Sequence, residues 1–212
     1  MIIINFKNYL IGEAALKRAK LIEKYLPDAI VAVSALDTRE IFEKTKLKVF
    51  AQHIDVVSSP TLSTGFISAG ILKKSGMRGS LINHSEHQIS HSLIWSALND
   101  LEENKMKGIV CVPTISEAMK LVKLKPWAMA FEDVELIATG KSITNYKKNE
   151  IEKFVSLLKG TKIIPICGAG IHSANDVRSA YDLGCKGGLI ASAIVGVSLR
   201  RAEKLLKAIS KV

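Results

Sequence analysis

The chain has 212 residues, 48% of them hydrophobic and 6% aromatic, with 30 Lys and Arg against 20 Asp and Glu for a formal charge of +10. That is enough chain for one sizeable core and too apolar for disorder, and no apolar run approaches the ~20 residues that span a bilayer. The basic excess is spread over helix-like stretches, with no basic block interleaved with aromatics. This argues against a nucleic-acid surface and for a solvated one that draws in an anionic substrate.

The opening stretch MIIINFKNYL begins with a β-branched apolar run that reads as a buried strand over 2–6. The run is too short for a signal-peptide core and has no basic segment before it, so a cytoplasmic location is the expectation. Strand alternation puts Asn5 and Lys7 on one face and Phe6 on the other. An ammonium at the end of a buried strand must reach solvent or an anion. Lys7 therefore reads either as a surface lysine or as a fixed positive charge.

Apolar runs and amphipathic stretches then alternate. Strands are predicted at 29–34, 48–52, 79–83, 107–112, 127–131, 162–167 and 187–191. Helices are predicted near 13–25, 38–46, 66–75, 90–105, 115–124, 149–159, 174–183 and 198–210. Ser173 and Asp176 form a capping-box start with Gly184 past the helix end, and Pro126 separates a helix from the next strand. Cys111, Cys167 and Cys185 lie in or beside strand-like runs with no CxxC spacing, which reads as free, reduced thiols.

Eight β-then-α repeats are what a closed (β/α)8 barrel requires. The chain is short for that fold, usually ~250 residues, so a single domain over 1–212 with shortened helices is predicted. A doubly wound open sheet is the alternative. In a barrel the catalytic groups lie at the carboxyl ends of the strands. Polar residues and glycines gather at those ends: Asn5 and Lys7, Gln52 and His53, Asn83 and His84, Glu132, Gly168 and Gly170, Ala191 and Ser192.

In LINHSEHQISH, His84 follows an apolar strand and precedes a helix-like segment, whose dipole disfavours the imidazolium. A neutral ring there can donate a hydrogen bond to a carbonyl; a purely structural histidine fits equally well. His84, His87 and His91 have the spacing of a metal site but no evident carboxylate or cysteine partner, so no metal is expected. Glu132 ends an apolar strand, a costly place for an unpaired carboxylate, and reads as a general base or as one half of a salt bridge. The glycine-rich turns CGAGIHSANDV and GGLIASAIVGV follow the seventh and eighth strands, where barrels often hold a phosphate on peptide N–H groups.

Taken in order, NFK at 5–7, AQHID at 51–55, NHSE at 83–86, FExxELIxTG at 131–140, CGAGI at 167–171 and LIAS at 189–192 resemble the triosephosphate isomerase family in its compact archaeal form. The resemblance covers nearly the whole chain. It implies a TIM barrel that interconverts dihydroxyacetone phosphate and glyceraldehyde 3-phosphate without a cofactor. Glu132 would be the base and His84 the electrophile, a pairing known from this family. Lys7 would supply charge, with Asn5 and Phe6 also at the substrate.

The resemblance further implies phosphate binding by Ile137, Gly170, Ala191 and Ser192 under a lid over 136–142. It implies a homodimer or tetramer through a loop carrying Thr64 and Gly65, and no nucleic-acid or membrane partner. The chain departs from the family at Asp133 and Val134, where prolines are usual, and at Ala138, where glycine is common. It departs again at His87, where arginine or asparagine is the tendency.

Overall fold

The computed structural model describes residues 1–59, 62–132 and 142–212. The first half runs β1 Ile2–Asn5, α1 Gly12–Tyr25, β2 Ile30–Val33, α2 Thr38–Lys44, β3 Lys48–Ala51, α3 Ala69–Lys74, β4 Gly79–Ile82 and α4 His91–Glu103. It continues with β5 Lys107–Val112, α5 Ile115–Leu121, β6 Ala128–Phe131, α6 Ile143–Tyr146 and α7 Lys148–Leu158. The last elements are β7 Ile164–Cys167, α8 Ala174–Asp182, β8 Gly187–Ile190, α9 Ser192–Val195 and α10 Leu199–Ile209.

All eight strands pair in parallel with their neighbours, and β1 closes on β8 with Ile3 opposite Leu189. Closure removes the open-sheet alternative and leaves no strand edge. The helices are trimmed as the short chain requires: α2, α3 and α5 have 7, 6 and 7 residues. Ser68, Ser90, Thr114, Ser173 and Ser198 each accept a backbone N–H of the first turn, and Ser173 with Asp176 completes the predicted capping box. Such caps contribute about 1 kcal/mol apiece, which matters most to helices of two turns.

The strands read as unbroken apolar runs because both their faces are buried. One face, with Ile3, Ile30, Phe50, Leu81 and Ile109, fills the barrel interior. The other, with Ile4, Val31, Val49, Val110 and Met129, packs under the helices. The interior mixes large and small side chains. A Cβ at Gly79 would stand 2.5 Å from the Phe50 ring and 2.2 Å from the Lys107 carbonyl oxygen, so Phe50 fills its layer only because Gly79 has no side chain.

The carboxyl ends of the strands carry unusual backbone. Lys7, Asn83 and Ala169, none of them glycine, have φ of 46°, 60° and 68°. Conformations of this kind cost on the order of 1–3 kcal/mol and persist only where neighbours enforce them. At Lys7 the enforcement is visible: its N–H donates to Asn5 Oδ1 at 2.9 Å, and Gln52 Nε2 donates to its carbonyl at 2.9 Å. At Asn83 the side chain donates to the Cys111 carbonyl and accepts the Ile89 N–H, both at 3.0 Å.

Candidate active site

These turns aim side chains at a single pocket over the barrel mouth. Asn5, Lys7, His84 and Glu132 line it with Gly170, Ala191 and Ser192. Five distant segments named from the sequence thus converge. Phe6 is a correction: its side chain is fully buried in the layer between strands and helices and does not reach the pocket, as strand alternation dictates. Ile137, the departures at Asp133, Val134 and Ala138, and all of the expected lid except Ser142 lie outside the described residues.

His84 and Glu132 are both buried, with Nε2 and Oε2 3.2 Å apart. The Glu86 N–H donates to His84 Nδ1 at 3.2 Å, which assigns the ring proton to Nε2 and points it at the carboxylate. The expected helix-dipole effect on His84 is corrected here. The residues after it form a turn closed by the His87 N–H on the His84 carbonyl, and α4 starts only at His91. The tautomer is set by one peptide N–H instead.

Burial, the largest single influence, pulls the His84 pKa down, and Lys7 pulls with it. The hydrogen bond and charge of Glu132, helped by Glu86, outweigh both, so the net direction in the ligand-free pocket is up. Lys7 Nζ meets Glu86 Oε1 at 2.6 Å. The Lys7 side chain is only 16% exposed against 56% for Glu86, so the ammonium sits inside the pocket and the carboxylate at its rim.

Gly168 has a reason the sequence did not show. A Cβ there would lie 2.9 Å from Glu132 Cγ, so this glycine makes room for the carboxylate side chain. The loop beyond it runs through Ala169 and Gly170, both at φ 68°, before Asp176 Oδ2 accepts the N–H groups of His172 and Ser173.

Sequence reasoning missed Tyr9, His172 and Leu189, which also line the pocket, and the pairing role of Glu86. Glu86 stood inside the quoted NHSE stretch, but nothing local says that this loop leans toward the first one. His172 Nε2 is buried without a hydrogen-bond partner among the described residues. Its adjacency to CGAGI was the available signal.

His87, unexplained as a sequence departure, stacks on His53 with ring centroids 3.9 Å apart and planes at 20°. Burial, then the His87 charge, lowers the His53 pKa against the opposing pull of Asp55. His91 turns away to Glu117 on α5. Among the described residues no group of three or more His, Cys, Asp or Glu side chains is arranged to hold a metal ion.

The expected interface loop is exposed at Thr64 and Gly65, and its ends are tied by two hydrogen bonds. The Asp55 N–H donates to the Ile67 carbonyl at 2.9 Å, and the Ile67 N–H donates to Asp55 Oδ2 at 2.7 Å. Cys111, Cys167 and Cys185 are free and buried. No helix among the described residues is long and apolar enough to cross a membrane.

A closed parallel barrel whose carboxyl-end pocket joins a carboxylate, an imidazole and an ammonium defines the class of barrel enzymes that work by acid–base chemistry. Similarity makes the assignment particular. The family model for triosephosphate isomerase matches residues 1–209. The chain is 36% identical over 203 residues to the triosephosphate isomerase of Methanothermus fervidus, covering 92% of this chain and 91% of that one. It is 34% identical to that of Methanocaldococcus jannaschii, with 92% of each covered. The crystal structure of triosephosphate isomerase from Bartonella henselae superposes with a TM-score of 0.71 over 98% of this chain and 96% of that one, at 19% identity, a likeness of fold. The chain belongs to the triosephosphate isomerase family.

Proposed function

We propose that the protein interconverts dihydroxyacetone phosphate and D-glyceraldehyde 3-phosphate through an enediolate. The observation that carries this reading is the His84 Nε2 to Glu132 Oε2 approach of 3.2 Å, in a pocket that also holds the Lys7 ammonium, in a chain of this family.

Glu132 takes a proton from C1 of the ketone. The C–H electron pair becomes the C1–C2 double bond, and the carbonyl electron pair moves onto O2. His84 Nε2–H donates to the carbonyl oxygens, and Lys7 stabilises the negative charge that develops. Passing the O1 hydroxyl proton to O2 through His84 Nε2 and returning the carbon-derived proton to C2 yields the aldehyde, so one carboxylate serves both carbon steps. When Glu132 turns from His84 to the substrate, the influence that raises the His84 pKa is withdrawn. Burial and Lys7 then keep the ring neutral, the form able to donate without a formal charge.

The phosphate rests on the peptide N–H groups of Gly170, Ala191 and Ser192, together with that of Ile137. Ser192 opens the short helix α9, whose first N–H groups have no acceptor within the helix. An enediolate phosphate open to water can expel its phosphate, so the reaction requires water to be kept from the pocket during proton transfer.

Assembly belongs to the same reading: the loop bearing Thr64 and Gly65 enters a second copy. Supporting this, Leu62 is 87% exposed and Phe66 49%, an apolar tip that a lone chain would leave in water. Light scattering should give at least twice the 23.1 kDa chain mass.

The test of the chemistry is a coupled triose phosphate isomerisation assay on the wild-type protein and Glu132→Gln. Turnover by the first and a loss of at least ~10²-fold in the second are expected, as for removal of a positioned base. Equal turnover by both removes Glu132 from its role.

A further inference from the structure

A second concave site lies at the opposite, amino-terminal end of the barrel. It is a cleft of about 850 Å³, which is room for a ligand of nucleotide size. Six cationic side chains line it, Lys46, Lys48, Lys73, Arg78, Lys105 and Lys107, and Asp28 is the one carboxylate among its lining residues. The six come from α3 and from the starts of β3, β4 and β5 with their approaches, so the fold has gathered them from separate stretches. Parallel strands sit ~4.8 Å apart, and the Lys107 N–H donates to the Arg78 carbonyl at 3.0 Å. The strand starts that carry these residues therefore stand side by side. Lys48 and Lys107 share the alternation of the interior residues Phe50 and Ile109, which directs them over the barrel's lower opening.

Away from the cleft some basic residues meet carboxylates, as in Arg39–Glu43, Lys44–Glu40, Lys24–Glu203 and Lys120–Glu117. In the cleft only Lys48 has a carboxylate in reach among the described residues, Asp28 at 3.2 Å. Lys107 Nζ instead sits 4.3 Å from the centroid of the Trp127 ring. Phe42, 38% exposed, gives the cleft a second aromatic wall. Like charges crowded without counter-charge repel one another, and a multivalent anion relieves them all together.

We propose that this cleft binds a small anion carrying several phosphate groups, of the polyphosphate or nucleoside polyphosphate class. One phosphate cannot span cations distributed over three successive strand starts; a chain of them can. Arg78 supplies the fork that matches phosphate oxygens and the lysines supply point charges. The concave shape and the volume of about 850 Å³ favour a small ligand over a nucleic acid. The site is independent of the isomerase reading, which places its phosphate at the other end of the barrel.

Calorimetric titration of the purified protein with tripolyphosphate and with ATP, at about 0.1 M salt, tests this. Saturable one-to-one binding with a Kd below about 1 mM is expected, weakening as salt rises. Arg78→Ala/Lys107→Ala should weaken it at least tenfold, as should Lys46→Glu/Lys73→Glu, which touches no strand; isomerase turnover stays unchanged in both. Lys7→Ala should leave it intact. Equal binding of the two ligands assigns recognition to phosphates alone, and tighter ATP binding adds a base stacked on the aromatic walls. No saturable binding overturns the proposal, as does equal binding in both cleft variants. Loss in Lys7→Ala, which would put the anion at the mouth, overturns it too, and so does binding of long RNA or DNA but not of tripolyphosphate.

Discussion

The two ends of this barrel are built from the same eight strands and treat charge in opposite ways. At the mouth every charged group of the acid–base set has a partner: Lys7 with Glu86, His84 with Glu132. At the base, cations carried by three strand starts line one cleft with Asp28 as the one carboxylate among its lining residues. The backbone differs as well. The non-glycine left-handed residues at the mouth are Lys7, Asn83 and Ala169, each set in the pocket wall or bonded behind it, while Lys105 and Lys125 merely end helical segments on the other side. Strain has been placed where groups must be aimed, and ordinary turn geometry suffices elsewhere. Precision and charge pairing at one end, plain packing and loose cations at the other, are consistent with the rule that barrel chemistry is housed at the carboxyl face and stability below it.

The sharpest way to break that contrast is Lys7→Gly. Glycine accepts φ of 46° freely, so the substitution relieves the backbone while deleting the charge. Turnover is expected to fall on the order of 10²–10³-fold, the usual effect of removing one group that stabilises a developing oxyanion, with no loss of stability to denaturant. A large stability loss would mean that Lys7 holds the fold rather than the reaction. Next comes Gly168→Ala. Its Cβ would stand 2.9 Å from Glu132 Cγ and must push the carboxylate aside. Displacement of a base by about 1 Å lowers turnover on the order of 10²-fold, while circular dichroism should change little. The base of the barrel should answer in the other currency. Gly79→Ala forces a methyl against the Phe50 ring and the Lys107 carbonyl and should cost about 3 kcal/mol in urea unfolding, as overpacking does. Turnover per folded molecule should be retained.

How much of this contrast the amino acids announce depends on the distance over which each feature is decided. The barrel is legible because strand and helix periodicity, Pro126 and the Ser173 capping box are local signals, and eight repeats leave few topologies. Asn5, Lys7, His84 and Glu132 are legible because each is a polar residue ending an apolar strand. Glu86 on Lys7 and His87 on His53 are meetings between loops after different strands, and no spacing within either loop encodes them. Gly168 looked like a phosphate-approach glycine and proved to clear space for Glu132, because glycine records that something is close without saying what. Phe6 misled in the opposite direction: its neighbours Asn5 and Lys7 reach the pocket, and alternation sends it the other way. The basic cleft escaped notice because its six cations are scattered over more than sixty residues of sequence and only the closed sheet gathers them.

The smallest expected effect concerns the proton between His84 and Glu132. Burial alone would lower the His84 pKa, and the hydrogen bond and charge of Glu132 lift it past the ordinary 6.5. Accepting a second proton requires Nδ1 to release the Glu86 N–H, and Glu86 Oε2, 3.7 Å away, is placed to take the new donor. A folded-state pKa raised in this way adds stability that is fully present below pH 6.5, where the unfolded chain also holds the proton. That stability is lost as pH rises through the folded value. In Glu132→Gln the lifting charge is gone while burial and Lys7 remain, so the His84 ring should titrate below 6.5. Proton NMR of its Cε1–H, assigned with His84→Asn, measures the change. Because one pKa unit corresponds to about 1.4 kcal/mol, the His84 share of the stability difference between wild type and Glu132→Gln should shrink between pH 6 and pH 8. A His84 resonance that titrates identically in the two proteins would show that the carboxylate does not govern this proton, and would leave the peptide N–H of Glu86 as the main control on the ring.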